Sequence, residues 1–444
     1  MTFSTDKQTL DDLNIFGRHG GDSIYNIFNR CITRGGASVM EELFRYPLTD
    51  IALINRRSNI IRYFSDTPVD FPLQNATFDA VQIYLSNTDE RTKLVAGDQT
   101  IGKKLGNIIA MDTMTQQIHK GITGIAELLS SVRELIGRIQ LDVCEGFSQD
   151  LAEIKTILSQ SIFRDLLESK AKLTDTKMIW FDDLLRFRNR DSINKLLGYL
   201  YQLDVYIATG RVARERNFNF ALASEKGHLK IDIEGVFHPH VPNAVANDIR
   251  ISPDGNVIFL TGANMAGKST FMKSLSISLY LAHMGFPVPA ASMSFSVLDG
   301  IYTTINLPDD IGMGASHFYS EVLRVKKVAT ELQSKNLFVL FDELFRGTNV
   351  KDAEEATIAV AAAFAGKAQS IFVLSTHIME AGEELKKRYA NIRFMYLPTR
   401  MVGGKPVYTY HLEEGITEDR HGMVIINNEG ILDILKKGTK RNNE

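Results

Sequence analysis

The sequence predicts a helical first half, residues 1–225, followed by an α/β second half, residues 226–444. Two observations carry this expectation. Residues 80–205 contain no proline and repeat apolar side chains every three or four positions, the period of amphipathic helices. From about residue 229, short apolar runs bounded by glycine and proline alternate with helical stretches, as in a domain built on a largely parallel sheet.

Composition sets the outer limits. A chain of 444 residues has room for two or three domains, and 44% hydrophobic with 23% charged residues is the balance of an ordinary globular protein. The net charge of −3 argues against a globally basic nucleic-acid binder and leaves a local basic patch open. Two cysteines, Cys31 and Cys144, are too few and too far apart for a metal site or a disulfide framework. A reducing compartment fits, and a cytoplasmic location is expected. Met1 to Lys7 lack the basic-then-apolar order of a signal peptide, and no run of about eighteen apolar residues suggests a membrane span.

In the first half, Leu13-Asn14-Ile15-Phe16 precedes a turn at Gly20-Gly21. A helix with Ile24, Ile27 and Phe28 on one face follows, and Gly35-Gly36 should interrupt the pattern. Val39, Met40, Leu43 and Phe44 belong to a second helix that stops near Tyr46-Pro47. Asp50 is suited to cap a third, carrying Ile51, Ile54 and Ile61. The clearest stripe runs from Ile122 through Ile125, Leu128, Leu129, Val132 and Leu135 to Ile136 and reads as core. Arg186, Arg188 and Arg190, with Arg211, Arg214 and Arg216, could touch phosphates; the alternative is a solvated face or a salt-bridged domain border.

In the second half, Leu229 to Glu234 alternate as a strand does, and a proline-bearing loop, His238 to Pro242, follows. The apolar run Val257 to Leu260 leads into Gly262-Ala263-Asn264-Met265-Ala266-Gly267-Lys268-Ser269-Thr270 and then a helical segment. Strand, glycine-bounded turn and helix make the context in which G-x-x-x-x-G-K-[ST] binds phosphate. Glycines let successive N–H groups turn toward phosphate oxygens, and the helix N-terminus adds positive charge. Lys268 should reach the β- and γ-phosphates, and Ser269 should bind Mg2+. Leu337 to Phe341 end in Asp342 and Glu343, an apolar strand delivering acids to a sheet edge. Asp342 should hold Mg2+, and Glu343 could accept a proton from, or orient, an attacking water. A further strand, Ser370 to Leu374, ends in Ser375-Thr376-His377, where His377 could bond a γ-phosphate and sense its loss.

These motifs resemble those of the MutS mismatch-repair ATPases. The loop from Thr261 to Thr270 is similar to the phosphate loop of that family, Asp342 to Thr348 with Asp352 to its acidic motif, and Ser375 to Glu380 to its histidine switch. Pro287-Val288-Pro289-Ala290, Gly314-Ala315-Ser316-His317-Phe318 with Glu321, His238-Pro239 and Asn247-Asp248-Ile249 add further matches. The first half joins in through Asn14-Ile15-Phe16, Thr33 with Gly36, Pro47 to Ile51, Arg57 and Leu203-Asp204-Val205. The resemblance implies an all-α core or lever domain followed by a P-loop ATPase domain of ABC type that forms a head-to-tail homodimer. Each composite site would take Lys268, Ser269, Asp342, Glu343 and His377 from one subunit and Ser316 from the other. Asn247 and His411 would help hold the nucleotide. ATP and Mg2+ are the cofactors implied.

Departures from the family pattern matter as well. Ala263 and Ala266 replace a proline and a glycine of the loop, and both stay small. Ala244 stands where the family places an adenine-stacking aromatic, and Arg420-His421-Gly422 where it has Ser-x-Gly. Lys436, Lys437, Lys440 and Arg441 form a basic end that reads as a solvated tail. No module ahead of the core and no strand-rich basic clamp between residues 85 and 190 is recognised, and mismatch reading is therefore not expected. Two readings follow: an ATP-switched dimer acting on double-stranded or branched DNA, or an ATP-gated dimer acting on a protein client without binding DNA.

Overall fold

The structure, a computed structural model, describes residues 2–17, 21–94, 105–139, 145–169, 173–305, 317–345, 347–403, 405–417 and 430–438. The chain forms two compact units that interleave in sequence. Met1–Asn26, Tyr46–Asn55 and Asn217–Glu444 make a sheet unit; Ile27–Arg45 and Arg56–Arg216 make a helical unit. Residues 1–26 and 46–55 thus group with the sheet rather than with the helices that surround them in sequence.

The chain begins with α1 (Lys7–Asp12), capped by the Asp6 carboxylate on Thr9 N at 3.0 Å, and the short α2 (Ile24–Phe28). Gly35 and Gly36 do not interrupt the pattern as expected; they lie in the first turn of α3 (Arg34–Arg45). The reason is close packing within the helical unit. A Cβ at Gly35 would press into the ring of Tyr201, and one at Gly36 into the carboxylate of Asp204. α3 ends at Arg45, before Pro47, and α4 (Ile51–Asp66) starts with Asp50 accepting from Leu53 N at 2.9 Å.

α5 (Asn75–Ser86) lies against α6 (Leu105–Arg138), where Gly121 leaves space for the Tyr84 ring. The stripe from Ile122 to Ile136 is buried in a core shared with α7 (Ser148–Leu158), α8 (Ser161–Ser169) and α9 (Asp175–Asp182). A π-helical turn, Asp183–Arg188, joins α9 to α10 (Arg190–Arg216). Arg186 sits in that turn and is wholly buried, paired with Asp182 at 2.6 Å and bonded to Thr92 Oγ1 at 2.9 Å. It is a core ion pair with both side chains shielded from solvent. Arg188 pairs with Asp183 at 2.8 Å and Arg211 with Asp70 at 3.6 Å.

In the sheet unit, a small sheet has the order β2 (Leu222–Ser224), β7 (Ser292–Ser296), β3 (Ile231–Val236), β4 (Asn247–Ile251). Two short strands, β1 (Asn219–Phe220) and β6 (Pro287–Val288), pair beside it. The main sheet contains β5 (Val257–Gly262), β8 (Gly300–Thr304), β9 (Leu337–Asp342), β10 (Ile371–Ser375), β11 (Ile392–Leu397) and β14 (Glu413–Glu414). Its order is β14-β11-β5-β10-β9-β8, with only β14 antiparallel. β5, β8 and β10 are buried along their full length and β9 up to its last residue, which explains the near-continuous apolar sequences of β5, β9 and β10. α11 (Lys268–His283) follows β5; α12 (His317–Glu331), α13 (Val350–Ala365) and α14 (Met379–Arg388) complete the crossovers. A hairpin of β12 (Thr399–Val402) and β13 (Lys405–Tyr408) and a last helix, α15 (Ile431–Gly438), close the described chain.

The first dozen residues are tied to the edge of this sheet. Ser4 bridges to Gly300, where a Cβ would collide with the Ser4 carbonyl. Thr9 Oγ1 accepts from Thr303 N at 3.0 Å, and Asp12 accepts from Thr303 Oγ1 at 3.0 Å and Ile305 N at 2.8 Å. Asp6 binds Arg324 and, at 2.7 Å, Lys327. Burial opposes charge on the Asp6 carboxyl, but hydrogen bonds from Arg324 and Lys327 outweigh it and hold the carboxyl well below its usual range. Among the described residues, no helix is long and apolar enough to cross a membrane.

Candidate functional site

Backbone register builds the site. β10 lies between β5 and β9, with Ser375 paired to Leu260 on one side and Asp342 on the other. The segments leaving β5, β9 and β10 therefore emerge side by side at the carboxyl edge of the sheet, the place where open α/β sheets bind ligands. Beyond the ladder, Glu343 N donates to Ser375 O at 2.9 Å and Thr376 N to Leu260 O at 3.3 Å, drawing the three exits together.

The loop after β5 turns on left-handed residues: Met265 at φ 68°, and Gly267 at φ 102° just before α11. Gly267 also admits a close neighbour, since a Cβ there would lie 3.0 Å from Cδ1 of Tyr410. Ala266 is buried, while Asn264, Met265, Ser269 and Thr270 are exposed. Lys268 folds into the loop and donates to the carbonyls of Gly262 at 2.8 Å and Ala263 at 3.2 Å. Burial pushes its ammonium pKa down, against the opposing pull of Asp342 and Glu343.

Ser269 Oγ donates to Asp342 Oδ2 at 2.6 Å across the gap between the β5 and β9 exits. The other oxygen, Asp342 Oδ1, is buried without a hydrogen-bond partner. An ionised oxygen left in that state is costly unless a cation supplies the missing interaction. A hydroxyl and a carboxylate oxygen are hard donors of the kind Mg2+ takes, and the pair fits that ion. Glu343 Oε1 lies 2.7 Å from His377 Nε2. Glu343 adopts φ 54° and Phe345 φ 65°, so the turn after β9 holds two side chains in the left-handed region. Non-glycine residues persist there only when their surroundings impose it, and such positions cluster at functional sites.

A cavity of about 570 Å3 opens beside the loop, lined among others by His238, Ala244, Asn247, Lys268, Glu343 and Tyr410. Asn247 sits at its base with its amide in use: Nδ2 donates to Tyr410 O at 3.0 Å, and Oδ1 accepts from Leu412 N at 2.7 Å. Its side chain fixes the 410–412 segment. His411 is exposed and does not line the cavity; Tyr410 does. Tyr410 is left-handed (φ 58°), so the alternation of the preceding strand does not carry through to His411. Tyr410 was not singled out in sequence, although the run Tyr408, Tyr410, His411 marks an aromatic-rich return toward the loop. His238 is pushed down to about 4, by burial first and then by His240 and Lys273, and faces the cavity uncharged at neutral pH. Ser316, Arg346 and the stretch Arg420-His421-Gly422 lie outside the described residues.

The MutS domain V family profile matches residues 258–443. The DNA mismatch repair protein MutS of Phocaeicola vulgatus is 23% identical over 526 aligned positions, covering 96% of this chain and 60% of that protein. The MutS of Bacteroides thetaiotaomicron gives the same identity and coverage. That of Anaplasma phagocytophilum is 31% identical over 225 residues, 50% of this chain and 27% of its own. This chain thus spans about 60% of the length of the two relatives that it matches from end to end. With the domain V profile over the main sheet and similarity to two MutS proteins running on through the helices, the chain is similar to MutS proteins along nearly its whole length.

Proposed function

We propose that this protein is a Mg2+-dependent ATPase of ABC type that works as an ATP-switched dimer on DNA. The observation that carries the reading is the convergence of Lys268, Ser269, Asp342, Glu343 and His377 at one edge of a parallel sheet, with Ser269 and Asp342 2.6 Å apart. Similarity to the MutS family supports ATP as the nucleotide and DNA as the partner.

Each side chain has a task set by its chemistry. The loop N–H groups from Ala263 to Thr270 and the Lys268 ammonium balance phosphate charge. Ser269 and Asp342 would hold Mg2+, which when bound neutralises charge on the phosphate oxygens. Glu343 takes the proton of the water that attacks the γ-phosphorus as the bond to the ADP oxygen breaks. His377, hydrogen-bonded to Glu343, orients that carboxylate and senses loss of the γ-phosphate. Tyr410 and His238 flank the base where Ala244 leaves space. Ser316 of the partner subunit would complete each site, so that ATP joins two copies and hydrolysis releases them. The cytoplasm is the compartment proposed, in keeping with the free thiol of Cys31.

The test is Glu343→Gln. It should bind ATP with unchanged affinity, lose nearly all phosphate release, and accumulate as a dimer in light scattering with ATP; normal turnover would remove Glu343 from its role. The net charge of −3 favours a second reading, a protein client without DNA. Fluorescence anisotropy with duplex, mismatched and junction DNA across a salt series separates the two. Loss of affinity with rising salt supports the first, and no binding at low salt with or without ATP supports the second.

A further inference from the structure

Within the helical unit, the arginines near residue 188 differ in their surroundings. Arg186 is buried against Asp182, and Arg188 lies on Asp183. In the later group Arg211 reaches Asp70, and Arg214 donates to Ser65 O at 3.3 Å. Arg190 differs. Like that of Arg186, its Nε is buried with no hydrogen-bond partner, but its side chain borders a cavity of about 350 Å3 between α5 and the first turns of α10.

The lining of that cavity is of one electrostatic kind. Gln82, Ser86, Asn194 and Tyr201 bring amides and hydroxyls, Leu85 and Leu197 form the apolar part, and no carboxylate is among the lining residues described. The nearby Asp79 is held by Asn75 Nδ2 at 2.9 Å and by Arg34 at 3.6 Å. Gly198 leaves open space, since a Cβ there would meet nothing within 4 Å. A guanidinium whose buried N–H lacks an acceptor, facing neutral donors in a pocket without acids, matches a phosphate oxyanion. A cation or a neutral apolar ligand would leave the Arg190 N–H unpaired.

We propose that this cavity binds a phosphate group through Arg190, with Asn194 and the Tyr201 hydroxyl, itself held by Gln82 Nε2 at 2.7 Å, as additional donors. It is a site separate from the sheet edge and does not depend on ATP being hydrolysed there. The phosphate can belong to a polynucleotide backbone or be a free anion, and the two sources are separable by experiment.

The test compares Lys268→Ala, in which the nucleotide loop is disabled, with Lys268→Ala/Arg190→Gln in the full chain. Inorganic phosphate replaces chloride at matched ionic strength while the melting temperature is followed. The single variant should gain stability with phosphate and the double variant should not. In parallel, Arg190→Gln alone is titrated onto labelled duplex and junction DNA over a salt series. If the source is a nucleic-acid backbone, affinity at low salt falls about three- to tenfold and the slope of log affinity against log salt drops by about one. Arg188→Gln, whose partner is Asp183, serves as the control and should change neither readout. A phosphate response without a DNA effect supports the site and names a free anion as its source, even if DNA binding fails altogether. A folded Arg190→Gln that matches its parent in both readouts overturns the proposal.

Discussion

Asp204 accepts two hydrogen bonds from Thr33, N–H at 2.8 Å and Oγ1–H at 2.7 Å, and a third from Ile32 N at 3.0 Å. One carboxylate of α10 thus serves as the amino-terminal acceptor for α3, more than 170 positions away. Burial raises its pKa, while the Thr33 and Ile32 bonds pull the other way. Asp204→Ala would leave buried donors unpaired and should cost about 2–3 kcal/mol in urea unfolding. Gly36→Ala, which forces a methyl against the same carboxylate, should cost about 1–3 kcal/mol.

The Arg186–Asp182 pair offers a sharper contrast. Removing only the cation, as in Arg186→Leu, strands a buried carboxylate and should destabilise the helical unit by about 3–5 kcal/mol. Replacing both, Asp182→Leu with Arg186→Met, should recover at least half of that loss. A double-mutant cycle in urea measures the difference, and additive losses would refute the pairing.

His283 is fully buried, with Nδ1 donating to Leu279 O at 2.8 Å and Nε2 accepting from Leu298 N at 3.0 Å. The second bond requires the neutral ring, since a protonated Nε2 cannot accept. Burial pushes its pKa down to about 4 from 6.5. The unfolded chain therefore takes up a proton near pH 6.5, which the folded chain refuses until about pH 4. The stability from this group is full above pH 6.5 and falls as acid is added, levelling off below about pH 4, by about 3 kcal/mol in all. Unfolding measured from pH 7.5 to 4, beside a His283→Gln variant with a flatter profile, checks this.

Metal dependence follows from the Ser269–Asp342 contact. Ser269→Ala and Asp342→Asn should each raise the Mg2+ concentration for half-maximal ATP turnover, on the order of tenfold or more. Chelation with EDTA should stop turnover in the unaltered protein. An unchanged Mg2+ profile in both variants would dissociate this pair from the ion.

Tyr410→Ala should weaken ATP binding about fivefold, corresponding to about 1 kcal/mol of lost stacking, and leave the turnover rate at saturation nearly unchanged. His411→Ala should have a smaller effect, since Tyr410 and not His411 lines the cavity. Equilibrium binding of a fluorescent ATP analogue reads both.

Much of this was legible in sequence where a pattern is local. The loop from Gly262 to Thr270, the acids after β9 and the histidine after β10 each sit at the end of an apolar strand, and strand order brings the ends together. What sequence could not give depends on pairings between distant segments. Gly35 and Gly36 look like helix breakers until Tyr201 and Asp204 are seen beside them. Arg186 and Arg190 look alike by spacing, yet one is paired with Asp182 in the core and the other borders a cavity. Tyr410 lines the cavity from a left-handed turn that periodicity does not encode.

The strap from Ser4 to Asp12 has a consequence for the order in which the sheet unit closes. Its side chains bind Thr303, Ile305 and Arg324, which lie 291 to 318 residues further along the chain. Such contacts close a very long loop before any bond rewards it, and closure of this kind is slow. The β8 edge that the strap covers therefore belongs to the late-closing part of the sheet unit.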